Sequence, residues 1–200
     1  MNGAMFFPPT VSFDTITKPE LNDCLVAWEH KMGAWERPNF GSEAFHGMRH
    51  HGRLVAVTAA ARLIPKSTAG LCRSDAFELG RVCAARPHLN RAVLRLWREF
   101  VFGEMCNAHG WRWVISYQDA VLHSGDLYRF DGWVVLGFSA SGTDARSGKK
   151  GRKKVIWGWC SDDAEREARR SNPVEVKIDT EHDRLSSVDD IYQQQMLFTI

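Results

Sequence analysis

No stretch of this sequence approaches the roughly 18 consecutive apolar residues that a membrane-crossing helix needs, so no membrane span or membrane partner is expected. The start, from Met1 to Pro9, lacks the basic region and the apolar run of a signal peptide. Metal-type cysteine spacing is missing too: Cys24, Cys72, Cys83, Cys106 and Cys160 are odd in number, scattered and without a CxxC pair. They read as reduced thiols of a cytoplasmic protein, and no zinc or other metal is assigned. Nor is there an excess of charge of one sign. A formal charge of +2 does not announce a nucleic-acid binder, so that case rests on where the charges sit. No internal repeat is present. What the chain does have is a hydrophobic fraction of 44%, enough for a core and against global disorder. Its 200 residues fit one domain with an appendage better than two domains. The expected division is an N-terminal arm over 1–17, a main domain over 18–160 and a tail or docking segment over 161–200.

Paired prolines make the first segment extended. From Lys18 the pattern turns helical, with Pro19 at the start, Leu21, Leu25, Trp28 and Met32 in phase, and Gly33 as the stop. A hairpin follows: Ala44 to His50, a turn at His51-Gly52, then Arg53 to Ala61, small and apolar on both faces as in a central strand. Pro65 to Asp75 reads as a connecting loop. Phe77 to Ala84 is the next strand, Arg86-Pro87-His88-Leu89-Asn90 a turn, and Arg91 to Ala108 one long amphipathic helix ending at Gly110. Its apolar stripe is Val93, Leu96, Trp97, Phe100 and Val101, with Arg91, Arg95 and Arg98 facing outward. Trp111 to Tyr117 and Trp133 to Ser139 are strands on either side of a short helix holding Tyr128, and Val155 to Trp159 is the last strand.

Four patterns carry chemistry. The turn from Arg86 to Arg91 joins a strand to a helix N-terminus, whose free N–H groups and dipole suit a pyrophosphate, and its two arginines add fixed charge; it is equally an ordinary β-to-α turn. Ser116-Tyr117-Gln118-Asp119 ends a strand, where open sheets place reactive groups. Asp119 there suits orienting or deprotonating a nucleophile, with the Ser116 hydroxyl as a hydrogen-bonding group beside it, or Asp119 only caps the next helix. The basic run Arg146, Lys149, Lys150, Arg152, Lys153, Lys154 suits phosphates whatever the base sequence, and Trp157 and Trp159 beyond it share a face for stacking on a base or for the core. His46 and His50 share strand parity; without a firm third ligand they read, with Arg49, as contacts to substrate or DNA phosphate.

The element order, the turn and the later Tyr128-Arg129-Phe130-Asp131-Gly132-Trp133 segment resemble the GNAT family of acyl-CoA N-acyltransferases over roughly residues 44 to 139. The resemblance implies an α/β (α+β) fold with a mixed, mostly antiparallel central sheet, flanking helices and one splayed strand pair. It also implies acetyl-CoA or another acyl-CoA as donor, held by Val82, Cys83, Ala84, Arg86, Leu89, Asn90 and Arg91, with Tyr128 protonating the departing thiolate. The family turn is Gln/Arg-x-x-Gly-x-Gly/Ala. Arg86 matches it, whereas Leu89 and Arg91 replace the two glycines. Asn90, the Ser116–Asp119 strand end and the Gly125–Trp133 segment further resemble the phage and prophage branch that includes the Mom family of DNA-modifying proteins.

That branch implies acyl-type transfer onto an amine of a DNA base, with Tyr128, Asp119 and Ser116 catalytic and with His46, Arg49, His50, Lys149, Lys150, Arg152 and Lys153 on the DNA. The alternatives are an N-acetyltransferase for a small amine or a protein lysine, and a non-catalytic interaction module on the same fold.

Overall fold

A computed structural model describes residues 10–37, 41–120, 122–139 and 154–171. The chain runs β1 (Val11–Thr15), α1 (Lys18–Ala27), β2 (Ala44–His50), β3 (Arg53–Arg62), β4 (Ser67–Thr68), β5 (Leu71–Cys72) and β6 (Ala76–Ala84). It continues with α2 (Leu89–Phe100), α3 (Phe102–His109), β7 (Trp113–Asp119), α4 (Asp126–Arg129), β8 (Val134–Ser139), β9 (Lys154–Trp159) and α5 (Asp163–Ser171). Among the described residues two compact units result: Thr10–Arg62 with Phe77–Gly110, and Leu63–Ala76 with the residues from Trp111 to Ser171.

The first unit carries the antiparallel order β1-β2-β3-β6. The hairpin at His51-Gly52 stands as expected, with both residues at positive φ. The segment read as an extended arm contributes β1, which pairs with β2 along its whole length. Helix α1 covers one face of this sheet over Val57, Ala59, Ala61 and Cys83, and α2 covers the other, its Val93 packing with Met48 and Ala56.

Thr17 and Glu20 close a capping box at the start of α1, but the helix stops at Ala27, five residues before Met32. Glu29 turns left-handed (φ 52°). His30 N–H then bonds Leu25 C=O at 2.9 Å and Glu29 N–H bonds Val26 C=O at 3.1 Å, a Schellman stop made without glycine. The long helix expected over 91–108 starts at Leu89 and divides at Val101, a β-branched residue at φ −106° with Gly103 two residues on. Its buried stripe is Val93, Leu94, Trp97 and Val101; Phe100, expected inside, is 63% exposed.

The second unit carries β7-β9-β8, again antiparallel, so the last strand in sequence inserts between its two predecessors. One face buries Trp113, Ile115, Leu136 and Ile156 with Leu63 and Leu71. The stretch read as a plain loop, Pro65 to Asp75, contains the small β4–β5 hairpin. Strand β7 begins at Trp113, two residues later than expected, because Arg112 and Trp113 both give their N–H groups to Asp75 C=O. Helix α5 lies at the start of the segment read as a tail, and its Glu165 accepts the Trp113 indole N–H at 2.9 Å. All strand pairings described here are antiparallel, and helices flank the sheets, so the fold class is the α+β one expected.

Candidate active site

Strand alternation puts Ser116 and Gln118 on the face of β7 opposite to Ile115, and register pairs Ser116 with Trp157 of β9. Above them stands α4, whose Tyr128 is buried. The Tyr128 hydroxyl is 2.7 Å from Ser116 Oγ, and either oxygen can donate. The phenol ring lies between two indoles: Trp157 stacks on it at 5.7 Å and 21°, and Trp133 meets it edge-on at 5.2 Å and 64°. Trp133 is itself held, its Nε1 donating to Asp131 Oδ2 at 3.2 Å.

Gln118 ties this arrangement together. Its Oε1 accepts the Trp157 indole N–H at 2.6 Å, and its Nε2 donates to the His123 carbonyl at the approach to α4. Gly125 begins α4 at φ 80°, and a Cβ there would stand 2.7 Å from Gln118 Oε1 and 2.8 Å from Trp157 Cζ2. Both the backbone angle and the space therefore require glycine. Such a buried phenol, held between two indoles and against the Ser116 hydroxyl, is placed to donate or accept a proton.

Two of the three expected catalytic residues thus meet. Asp119 does not join them: it is odd where Ser116 and Gln118 are even, it stands opposite Lys154 in the ladder, and its carbonyl takes the N–H groups of Leu122 and His123. Gln118, Trp133 and Trp157 were missed as supports of the phenol. The period-2 spacing of Ser116 and Gln118 was the available signal for the first of them. Trp157 and Trp159, read as core or base-stacking residues, are both buried as the core reading has it, the first against Tyr128 and the second under the Arg166 guanidinium.

In the first unit, Arg86 and Arg91 are exposed at the entry to α2. The Leu89 and Asn90 N–H groups are engaged by the Arg86 and Pro87 carbonyls, at 3.0 and 3.2 Å, and Asn90 Oδ1 is buried with no hydrogen-bond partner. Val82 and Ala84 are half-buried in the packing with α2, and Cys83 is buried on the α1 side, where burial pushes its thiol up to about 11.

Arg49 pairs with Glu20 at 2.8 Å and donates to Gly52 C=O at 3.3 Å. His46 is buried and stacks on Phe13 at 5.6 Å, and burial lowers its pKa against a weaker pull from Glu104. His50 is exposed beside His51, their ring centroids 4.3 Å apart. His46 and His50 do share strand parity, yet four residues of extended chain separate them by about 13 Å, too far for one metal ion. Glu43 and Glu78, the carboxylates that a two-histidine metal site would draw on, are engaged elsewhere, by Trp35 and Arg37. Among the described residues no group of three His, Cys, Asp or Glu gathers for a metal. Lys149, Lys150, Arg152 and Lys153 lie outside the described residues.

No family model matches the sequence, and no curated protein does either. Solved structures match in fold. The crystal structure of aminoglycoside 6'-acetyltransferase type Ii aligns with a TM-score of 0.53 at 12% identity, over 74% of this chain and 96% of that one. An N-acetyltransferase from Staphylococcus aureus aligns with a TM-score of 0.52 at 8% identity, over 76% and 98% of the two chains. A variant of the spermidine N-acetyltransferase from Vibrio cholerae aligns at 0.53 and 7% identity, over 80% and 98%. At such identities the likeness shows the fold alone, one shared with these acetyltransferases.

Proposed function

We propose that this chain is an acyl-CoA-dependent N-acyltransferase in which Tyr128, aligned by Ser116, protonates the departing thiolate. The observation that carries the reading is the 2.7 Å contact between the two hydroxyls inside a fold shared with N-acetyltransferases. The acyl-CoA substrate supplies a thioester carbonyl. The acceptor nitrogen forms the new C–N bond there as the C–S bond breaks. The Tyr128 O–H gives its proton to sulfur, and the proton released by the amine restores the phenol through solvent. A phenol O–H is a proton donor suited to that task. Arg86 and Arg91 meet the donor's phosphates as exposed point charges at the start of α2. Leu89 and Arg91, standing at the family's glycine positions, make a full backbone wrap the lesser contribution.

The acceptor we assign first is an amine of DNA. The run Arg146, Lys149, Lys150, Arg152 and Lys153 supports it, as does the Mom-like pattern of Asn90, Ser116–Asp119 and Gly125–Trp133. A small amine or a protein lysine is the second reading, favoured by the amine substrates in the names of the structural neighbours.

Calorimetric titration with acetyl-CoA, followed by mass spectrometry of nucleosides from DNA of expressing cells, tests the reading. The expected result is donor binding and one nucleoside gaining an acyl mass. Absence of donor binding, with no acylated product from DNA or from amines, overturns the transferase assignment. Replacing Lys149, Lys150, Arg152 and Lys153 by Ser separates the acceptors: DNA retention is lost under the first reading, and turnover on a small amine is untouched under the second.

A further inference from the structure

Arg81, at the middle of β6, is 7% exposed, and among the described residues no carboxylate pairs with it. A guanidinium keeps its charge in a protein, and a charge removed from water is costly unless it is paired. What Arg81 has instead is weak. Its Nη1 donates to the adjacent Gly80 carbonyl at 2.8 Å and to Met32 Sδ at 3.5 Å, a thioether being a poor acceptor. Its Nε is buried with no partner. Its guanidinium carbon lies 5.3 Å from the centroid of the Trp35 ring, and that of Arg37 lies 5.1 Å from the same centroid. The one nearby carboxylate, Glu78, stands 3.1 Å from Arg37 Nη1.

Two guanidinium groups therefore pack against one indole: Arg37 is answered by Glu78 and the Arg62 carbonyl, whereas among the described residues no carboxylate pairs with Arg81. The indole is rigid: Trp35 N–H bonds Asn22 Oδ1 and its Nε1 bonds Glu43 Oε1, both at 2.7 Å. A Cβ on Gly80 would stand 2.9 Å from Trp35 Cζ3, so the ring is pressed onto the β6 backbone. By contrast Met32, which covers Arg81, is 58% exposed and sits between two left-handed residues, Glu29 (φ 52°) and Gly33 (φ 64°). The rigid part thus holds unanswered positive charge, and its cover is a displaceable thioether.

The geometry points to a seat for an oxyanion, carboxylate or phosphate, formed by Arg81 beside Trp35, with the Met32 sulfur holding the place until the anion displaces it. A planar guanidinium matches either group through two parallel hydrogen bonds. Assigning this anion to the acceptor, which would then be an amine that also carries a negative group, rests on the transfer reading above; the seat itself does not.

The test uses the full chain without any acyl donor, and measures the thermal midpoint and binding heat with inorganic phosphate or acetate against chloride at equal ionic strength. The wild-type midpoint is expected to rise with anion concentration as the folded state binds. A response to phosphate alone identifies a phosphate seat, and a response to both identifies a carboxylate-competent one. Arg81→Met is expected to weaken the response by roughly tenfold or more, while melting no lower than wild type in chloride because it removes an unpaired buried charge. Arg81→Lys keeps the charge without the fork and is expected to weaken binding too; it carries the test alone if Arg81→Met does not fold. No wild-type response to either anion, or an undiminished response in the Arg81 variant that folds, overturns the seat. Acetyl-CoA binding without an anion response sinks the seat and spares the transferase reading; the reverse result sinks the transferase reading and spares the seat.

Discussion

Ser116 Oγ and the Tyr128 hydroxyl, twelve residues apart in sequence, lie 2.7 Å apart in the interior of the second unit. Tyr128→Phe keeps the ring between Trp133 and Trp157 and removes only the oxygen. The loss in stability is expected to stay within about 1–3 kcal/mol, the cost of removing one partner of a buried hydrogen bond. Transfer is expected to fall by about 10²–10⁴-fold, the usual contribution of a positioned acid, with calorimetric binding of acetyl-CoA unchanged. Wild-type turnover in this variant would remove the phenol from the mechanism.

Gly125 and Gly103 form a matched pair of tests. A methyl at Gly125 meets Gln118 Oε1 at 2.7 Å with φ at 80°, whereas Gly103 in α3 has nothing within 4 Å. Gly125→Ala is expected to destabilise by about 1–3 kcal/mol in urea unfolding, left-handed backbone alone costing roughly 1–2 kcal/mol for an L side chain. Gly103→Ala is expected to stabilise by about 0.5–1 kcal/mol through helix propensity. Equal effects at the two positions would mean that the fit of α4 onto Gln118 and Trp157 is loose.

Much of this architecture was legible because local signals agreed. The turn His51-Gly52 between two apolar runs fixes the β2–β3 hairpin to within a residue, and Gly110 ends α3 left-handed at φ 72°, as its position implied. Tyr128 and Ser116 were each legible, one on a short helix and the other at a strand end, but their contact was not. Gln118 was not, because its partner Trp157 comes from β9, and nothing local says that the last strand enters between β7 and β8. The stop of α1 at Glu29 escaped for a different reason: its two Schellman hydrogen bonds close on a residue type that rarely turns left-handed. Arg81 also escaped, since an arginine within an apolar strand shows nothing of its burial or of the indole beside it until Trp35 is placed.

Glu20 gives the acid side of stability a defined origin. Its carboxylate accepts the Thr17 backbone N–H, and this bond, then those from Arg49 and the Thr17 side chain, holds its pKa near 2 against an ordinary 4.5. A folded-state value below the unfolded one contributes stability above pH 4.5, and that stability is lost as pH falls toward 2. Glu20→Gln is expected to flatten the thermal midpoint against pH across that window, and added salt to shrink the wild-type effect because the group is exposed. An unchanged acid slope in the variant would assign that slope to other carboxylates.

Cys83 lies in the strand segment proposed to meet the donor, which makes a covalent thiol route worth testing. Burial pushes both Cys83 and Cys160 up to about 11, so at pH 8 only about one thiol in a thousand of either is ionised. Cys72 is exposed and Cys106 half-buried. A chromogenic disulfide reagent at pH 8 is therefore expected to titrate Cys72 quickly and Cys106 more slowly, with Cys24, Cys83 and Cys160 reacting only in denaturant. Cys83→Ala is expected to retain transfer within a fewfold of wild type, since direct attack by the acceptor amine needs no thiolate. A variant that binds acetyl-CoA normally but loses transfer by orders of magnitude would instead place an acyl-thioester on Cys83 and displace Tyr128 from the central role.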